Sequence, residues 1–447
     1  MLDLGSRSVL LVSSPRAAEE TLIRNDIIFS NRPRMIAGKY LGYDYTSLVW
    51  APYGDHWRNL RKIASAEVFS SRRLEMIHQI RADEVKLMLR RIFAAASRAK
   101  QQSEMVAVEM KTLCFELTLN IMMRMIAGKR YYGDENNVDE EVEEVKRFRE
   151  IVAETVRYAG VSNTAEFLPF LRWLRLDRLD SKLRVLQEKR DRFMQDLIEE
   201  FKKMENDGKR EKNKTLVEAL LDLQTKEPEY YTDESIKSLM LVLLATGTDT
   251  STATIEWALS LLLNNPSALK KSREEINKVV GNDRLLDESD AFNLPYLRCI
   301  VIETLRMYPG GPLLPRISSQ ECVISGYRVP KGTMLLINMW AIQNDPQIWD
   351  DPRKFMPERF EGICSTKDIG LKWLPFGSGR RGCAGESLAM RTITFALGLL
   401  IQCFNWEKIG PEKIDMAEGP GLSMRKVQPL IAYCQPRPQM IHLLSQI

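Results

Sequence analysis

One cysteine closes a loop rich in glycine and arginine, Pro375-Phe376-Gly377-Ser378-Gly379-Arg380-Arg381-Gly382-Cys383-Ala384-Gly385, and an apolar, helically spaced segment from Leu388 to Phe404 follows. Four glycines in nine residues permit tight turns and close approach to a flat ligand. Backbone N–H groups at the start of a helix donate to sulfur and stabilise a thiolate. Cys383 therefore suits a lone thiolate metal ligand, with arginines beside it for anionic groups. An inert buried cysteine is the default for any lone Cys, and the flanking residues argue against it here. Gly377, Gly379 and Gly382 also spell G-x-G-x-x-G, the dinucleotide fingerprint. No βαβ unit surrounds them, and a nicotinamide dehydrogenase would rest on that match alone.

Three further clusters could carry chemistry. Glu303-Thr304-Leu305-Arg306 is an E-x-x-R whose side chains share a helix face, as many solvated surface pairs do. Ala245-Thr246-Gly247-Thr248-Asp249-Thr250-Ser251 interrupts a long apolar helix with small and hydroxylated residues. It reads either as packing gaps or as a widening over a ligand, with hydroxyl and carboxylate groups to deliver protons. Trp57 and Arg61 stand one turn apart on a helix. His56 beside them reads as a surface or supporting residue rather than a metal ligand.

The elements that must position these residues are mostly helices. Apolar residues at three- and four-residue spacing predict helices over 71–98, 106–126, 180–203, 232–263, 267–280 and 294–307. Strand-like stretches are fewer: 5–13, 321–329, 334–338 and 426–434. The stretches Gly133 to Glu144 and Lys202 to Lys214 read as solvated loops or helix ends. The fold class is mainly α with a minor β part, as one large domain over 1–447.

Composition narrows the function. In 447 residues, 44% are hydrophobic and 28% charged, which is globular. A net charge of +4 gives no case for nucleic acid. Seven cysteines with no C-x-x-C pair suggest neither a disulfide framework nor a zinc site. Three histidines, His56, His78 and His442, leave little room for a histidine-held metal. No segment reaches the roughly 20 apolar residues of a transmembrane helix.

The cysteine loop resembles the haem-binding signature of cytochromes P-450, F-x-x-G-x-R-x-C-x-G, at Phe376, Gly379, Arg381, Cys383 and Gly385. The resemblance extends along the whole chain and implies the single-domain fold of that family, with haem b as cofactor. It makes Cys383 the axial thiolate of haem iron. Glu303, Arg306 and Arg359, the last in a P-E-R-F element, become a buried structural network. Asp249 and Thr250 become an acid–alcohol pair that delivers protons for oxygen activation, although Thr246 stands where alanine or glycine is usual. Trp57, Arg61 and Arg381 become propionate-binding residues, and Arg316 a further candidate. Pocket candidates are the Lys39 to Tyr53 loop, the helix face from Leu243 to Thr250, Gly310 to Leu314 and the tip Gly421 to Met424.

The phrases Asn31-Arg32-Pro33-Arg34 and Tyr53-Gly54-Asp55-His56-Trp57-Arg58 resemble a plant microsomal branch with isoflavone 2'-hydroxylases and methylenedioxy-bridge synthases. So do Asp287-Glu288-Ser289-Asp290 and Phe167-Leu168-Pro169 with Leu171-Arg172-Trp173. The resemblance implies a monooxygenase that takes O2, electrons from an NADPH-dependent cytochrome P-450 reductase, and a small hydrophobic plant metabolite. A phenylpropanoid, flavonoid, lignan, indole or terpenoid would be hydroxylated or ring-closed. Such members begin with a membrane-anchor helix, a basic stretch and a Pro-rich hinge, and the chain resembles a member read from its first sheet strand onward. The full-length form is expected on the cytosolic face of the endoplasmic reticulum membrane. Two rivals stand beside this reading: a haem-binding protein silenced by its missing N-terminus, and a peroxide-rearranging member that needs no O2.

Overall fold

The structure is a computed structural model that describes residues 1–101, 105–133, 140–160, 163–172, 179–206, 215–363 and 365–447. Trp173, and residues 134–139 and 207–214 of the two charged stretches named above, lie outside the described residues.

A 32-residue helix, Asp233–Asn264, forms the axis of the molecule. Thr232 caps it by accepting from the Ser235 N–H at 3.2 Å, and Asp233 and Glu234 stand in its first turn, where the helix dipole favours negative charge. Its second half, from Ser251 to Leu263, is buried on every face, as a helix apolar all round requires. It packs against helices Met110–Ala127, Pro295–Met307 and Glu386–Cys403. Leu117, Ile121, Leu244, Leu262, Ile300 and Leu397 fill the core between them.

Nine strands among the described residues complete the architecture. β1 (Leu2–Leu4), β2 (Arg7–Val12), β4 (Leu313–Ile317) and β7 (Met334–Asn338) form a sheet of order β1-β2-β7-β4, in which only β2 and β7 run parallel. β3 (Val106–Glu109), β8 (Phe404–Lys408) and β9 (Ile431–Pro436) form an antiparallel sheet of order β3-β9-β8. β5 (Cys322–Ile324) and β6 (Tyr327–Val329) make a hairpin that turns at Ser325 and Gly326, both at positive φ.

Several sequence expectations need correction. The helix expected from Val106 begins at Met110, because Val106–Glu109 pairs with β9. The helix over 71–98 breaks at Ile77 into Ser71–Met76 and His78–Gln101. The expected strand 426–434 is shifted to Ile431–Pro436, and Phe404 opens a strand rather than ending a helix. β4 was not anticipated, and its Pro315 is tolerated because β4 is the edge strand of its sheet. Helices Glu140–Ala159 and Leu216–Lys226 were also missed. No helix among the described residues is long and apolar enough to cross a membrane.

Candidate active site

The cysteine loop holds its shape through three local devices. Cys383 donates its N–H to the Phe376 carbonyl at 2.8 Å, and Gly382 donates to the Gly379 carbonyl at 2.9 Å. Gly379 sits at φ +72°, and a Cβ there would lie 2.4 Å from the Leu22 carbonyl oxygen. Asp26 accepts from the Arg380 backbone N–H and pairs with its guanidinium at 3.4 Å. Gly385 differs from Gly379, for its φ of −93° suits any residue and a Cβ would meet only the Phe69 ring at 3.5 Å.

The loop faces a cavity of about 280 Å³. Cys383, Phe376 and Leu388 line it together with Thr246, Gly247 and Thr250 of the axial helix. Leu48, Val49, Gly310 and Gly311 also contribute, so three of the four expected pocket segments reach it. The tip Gly421 to Met424 does not, since Ser423 and Met424 are buried against the axial helix instead. Cys383 is exposed, and that exposure is to the cavity. Burial on its other sides pushes the thiol up, while the Gly385 and Glu386 N–H groups and Arg61 pull it down.

Four arginines cluster at the cavity, and Arg61 among them acts on the sulfur. Arg32, Arg61 and Arg381 line the cavity, and Arg316, 1% exposed, donates to the Arg381 carbonyl at 3.4 Å. Burial lowers Arg32 to about 10 and Arg381 to about 9, the latter helped by repulsion from Arg32 and Arg61. Burial, then repulsion from Arg32 and Arg381, pulls Arg316 well below its ordinary value. Arg32 Nε and Arg316 Nη1 are buried donors without a partner among the described residues. Such a cluster, with its nearest carboxylate, Asp26, already committed to Arg380, asks for an anion. A flat, dianionic haem fits it.

Two expected propionate ligands also make contacts within the protein. Trp57 donates its indole N–H to the Leu48 carbonyl at 3.0 Å. Arg381 donates to the Ser30, Val49 and Ala51 carbonyls and stacks 4.7 Å over the Trp57 ring. Both residues thus hold the 48–51 wall. Arg61, the unanticipated Arg32 and the Nη1 of Arg316 offer donors with no partner among the described residues. Arg32 stands in a phrase quoted above only as a branch likeness, and its Nη1 reaches the Pro315 carbonyl at 2.6 Å, 283 residues away.

Behind the cavity lies the network around Glu303 and Arg306, both fully buried. Arg306 grips Glu303 twice, at 2.6 and 2.9 Å, and also donates to the Gln343 and Pro352 carbonyls at 2.7 and 2.8 Å. Glu303 further accepts from Arg359 at 3.3 Å and from the Met356 N–H at 3.0 Å. Gln343 carries the network forward, accepting from the Leu374 N–H at 2.6 Å, immediately before the loop. No motif marks Gln343 in the sequence.

On the axial helix, Thr246 and Thr250 turn their hydroxyls to the Val242 and Thr246 carbonyls at 2.7 and 2.8 Å. The Thr246 hydroxyl is therefore spent on the helix backbone. Thr250 lines the cavity, whereas Asp249 points the other way, into contact with Ser423 and Arg425. His56 bonds the Tyr230 hydroxyl and the Thr46 carbonyl. Among the described residues no group of His, Cys, Asp and Glu could hold a metal by itself.

The family model described as Cytochrome P-450 matches residues 1–432. Cytochrome P-450 81Q32 of Catharanthus roseus is 48% identical, covering all of this chain and 86% of that protein. The (+)-piperitol/(+)-sesamin synthase CYP81Q2 of Sesamum radiatum is 46% identical over all of this chain and 85% of its own length. Isoflavone 2'-hydroxylase of Medicago truncatula is 43% identical, covering 97% of this chain and 84% of its own. A zebrafish cytochrome P-450 solved with abiraterone shares the fold, with a TM-score of 0.78 and 24% identity, over 98% of this chain and 95% of that one. The chain belongs to the cytochrome P-450 family and is a haem-dependent monooxygenase.

Proposed function

We propose that the chain uses O2 and reductase electrons to hydroxylate or oxidatively ring-close a hydrophobic plant specialised metabolite of phenylpropanoid, flavonoid, lignan, indole or terpenoid type, at a haem that the Cys383 sulfur would hold. One observation carries this reading: the Cys383 sulfur and the Thr250 face of the axial helix open onto one cavity whose edge holds unpartnered arginine donors. The relatives named for isoflavone hydroxylation and sesamin formation supply the substrate class. The redox partner is an NADPH-dependent cytochrome P-450 reductase on the cytosolic face of the endoplasmic reticulum.

Bound haem supplies the reductive activation of O2, and a thiolate ligand favours O–O cleavage. The protein's residues do the rest. The N–H groups of Gly385 and Glu386, with Arg61, stabilise negative charge on sulfur. Arg32 and Arg61 would hold the propionates, with the unpartnered Arg316 Nη1 behind them, while Arg381 fixes the wall around them. Leu48, Ile121, Met122 and Leu243 exclude water and orient an apolar substrate. Thr250 keeps oxygen lone pairs free while donating to the Thr246 carbonyl, so it can accept and pass on a proton.

The test is turnover of isoflavones and lignans by the chain with reductase, NADPH and O2. A product with one added oxygen atom, or one lacking a hydrogen pair, supports the reading. Conversion of organic peroxides without reductase, and none of these compounds with it, would replace it with the O2-independent rival.

A further inference from the structure

Asp249 does not face the cavity that holds Cys383 and Thr250. Its side chain, 11% exposed, faces a second cavity of about 320 Å³ on the other side of the axial helix. Three consecutive residues near the C-terminus tie it there. Ser423 donates to one carboxylate oxygen, and Arg425 pairs with the other. Met424 between them donates its N–H to the Gly310 carbonyl at 3.1 Å and accepts from the Trp257 indole at 2.9 Å. A Cβ on Gly310 would lie 3.5 Å from the Thr250 Cβ. One short segment thus touches the acid on one side of the helix and the turn packed on Thr250 on the other.

We propose that Ser423 and Arg425 are positioning residues for proton delivery: they hold Asp249 at a loading position on the second cavity, from which it passes protons across the helix to Thr250. This rests on the reading of Asp249 and Thr250 as the proton path. Every other group lining the second cavity that can titrate or carries charge bears on the loading step. These are Glu109 and Lys111 at the β3 junction, Arg149 of the helix Glu140–Ala159, Glu256 on the axial helix, and Arg425. The release is built into the contact. A charge-assisted bond is roughly twice as strong as a neutral one, so Arg425 grips the ionised carboxylate and loosens its hold once that group takes a proton. The neutral acid then turns toward Thr250. The Thr250 hydroxyl accepts that proton and gives its own to the chamber, and the carboxylate returns ionised to Arg425. Each cycle moves one proton from solvent to the chamber and leaves both side chains as they began.

The test uses haem-loaded protein with full-length reductase, NADPH and O2. It reads peroxide released per NADPH consumed, in H2O and in D2O. Proton delivery directs reduced oxygen toward water, and its failure toward peroxide. Asp249→Asn, Arg425→Leu and Ser423→Ala are each expected to raise the peroxide fraction, and the first two to remove its dependence on D2O. Arg425→Lys restores the wild-type fraction. The double variant Asp249→Asn/Arg425→Leu is no worse than Asp249→Asn alone. Additive effects in the double variant, or a Lys variant no better than Leu, would show that Arg425 shapes the fold rather than acting through Asp249, and would overturn the proposal. Should Arg425→Leu fail to load haem, Ser423→Ala with its own Asp249→Asn double carries the same comparison. An Asp249→Asn enzyme with wild-type peroxide fraction and isotope response would instead remove the proton-path reading beneath it.

Discussion

Replacing Arg306 with leucine should prevent haem incorporation, although Arg306 does not line the cysteine cavity. The substitution deletes four hydrogen bonds, two to Glu303 and one each to the Gln343 and Pro352 carbonyls. Glu303 stays fully buried, with only Arg359 at 3.3 Å and one backbone N–H left to it. Removing one partner of a buried pair costs about 3–5 kcal/mol, a large share of the 5–15 kcal/mol that ordinarily holds a protein folded. The loss propagates forward because Gln343, which accepts from the Leu374 N–H, also donates to the Leu305 and Arg306 carbonyls at 3.1 and 2.9 Å. Arg306→Lys keeps the charge but not the planar fork, and should fall between wild type and leucine. The assay is haem content per chain with thermal unfolding, for all three proteins. Leucine and wild-type proteins with equal haem content and melting within a degree or so of each other would refute the reasoning.

Other outcomes follow from the same contacts. Gly379→Ala should destabilise the loop by roughly 1–3 kcal/mol through its positive φ and its 2.4 Å approach to the Leu22 carbonyl, whereas Gly385→Ala should be tolerated, as thermal melts would show. Arg32→Leu and Arg61→Leu should each weaken haem retention, read as faster haem transfer to an apo-acceptor protein, by more than a lysine at either position. Backbone bonding from Ser289 depresses the Asp287 carboxyl and bonding from Arg284 that of Asp290. Their unfolded forms therefore bind more protons at low pH. The stability they add is complete above an ordinary carboxyl value of about 4 and is lost as pH falls through the lower folded values. Asp290→Asn should flatten that acid limb of the melting temperature.

What the sequence made legible was local. The cysteine loop, E-x-x-R and the Asp249–Thr250 element each fit within a dozen residues, and their helices carry regular apolar spacing. Contacts between distant segments stayed hidden. Arg32 reaches Pro315, Gln343 reaches Leu374, and Arg425 reaches Asp249, and nothing in the spacing of any of these residues announces its partner. Val106–Glu109 carries apolar residues that suit a helix, yet tertiary pairing with β9 makes it a strand. Trp57 and Arg381 line the cysteine cavity, but which acceptor each N–H meets depends on how the 48–51 segment folds back over them.

The reduced carbon-monoxide difference spectrum of the purified chain, beside Cys383→Ala, tests the central claim most directly. The account predicts a red-shifted Soret band of the thiolate-ligated type in the parent chain and its loss in the variant. A band at the position of haem proteins with a neutral ligand, or a red-shifted band that survives in Cys383→Ala, would contradict it.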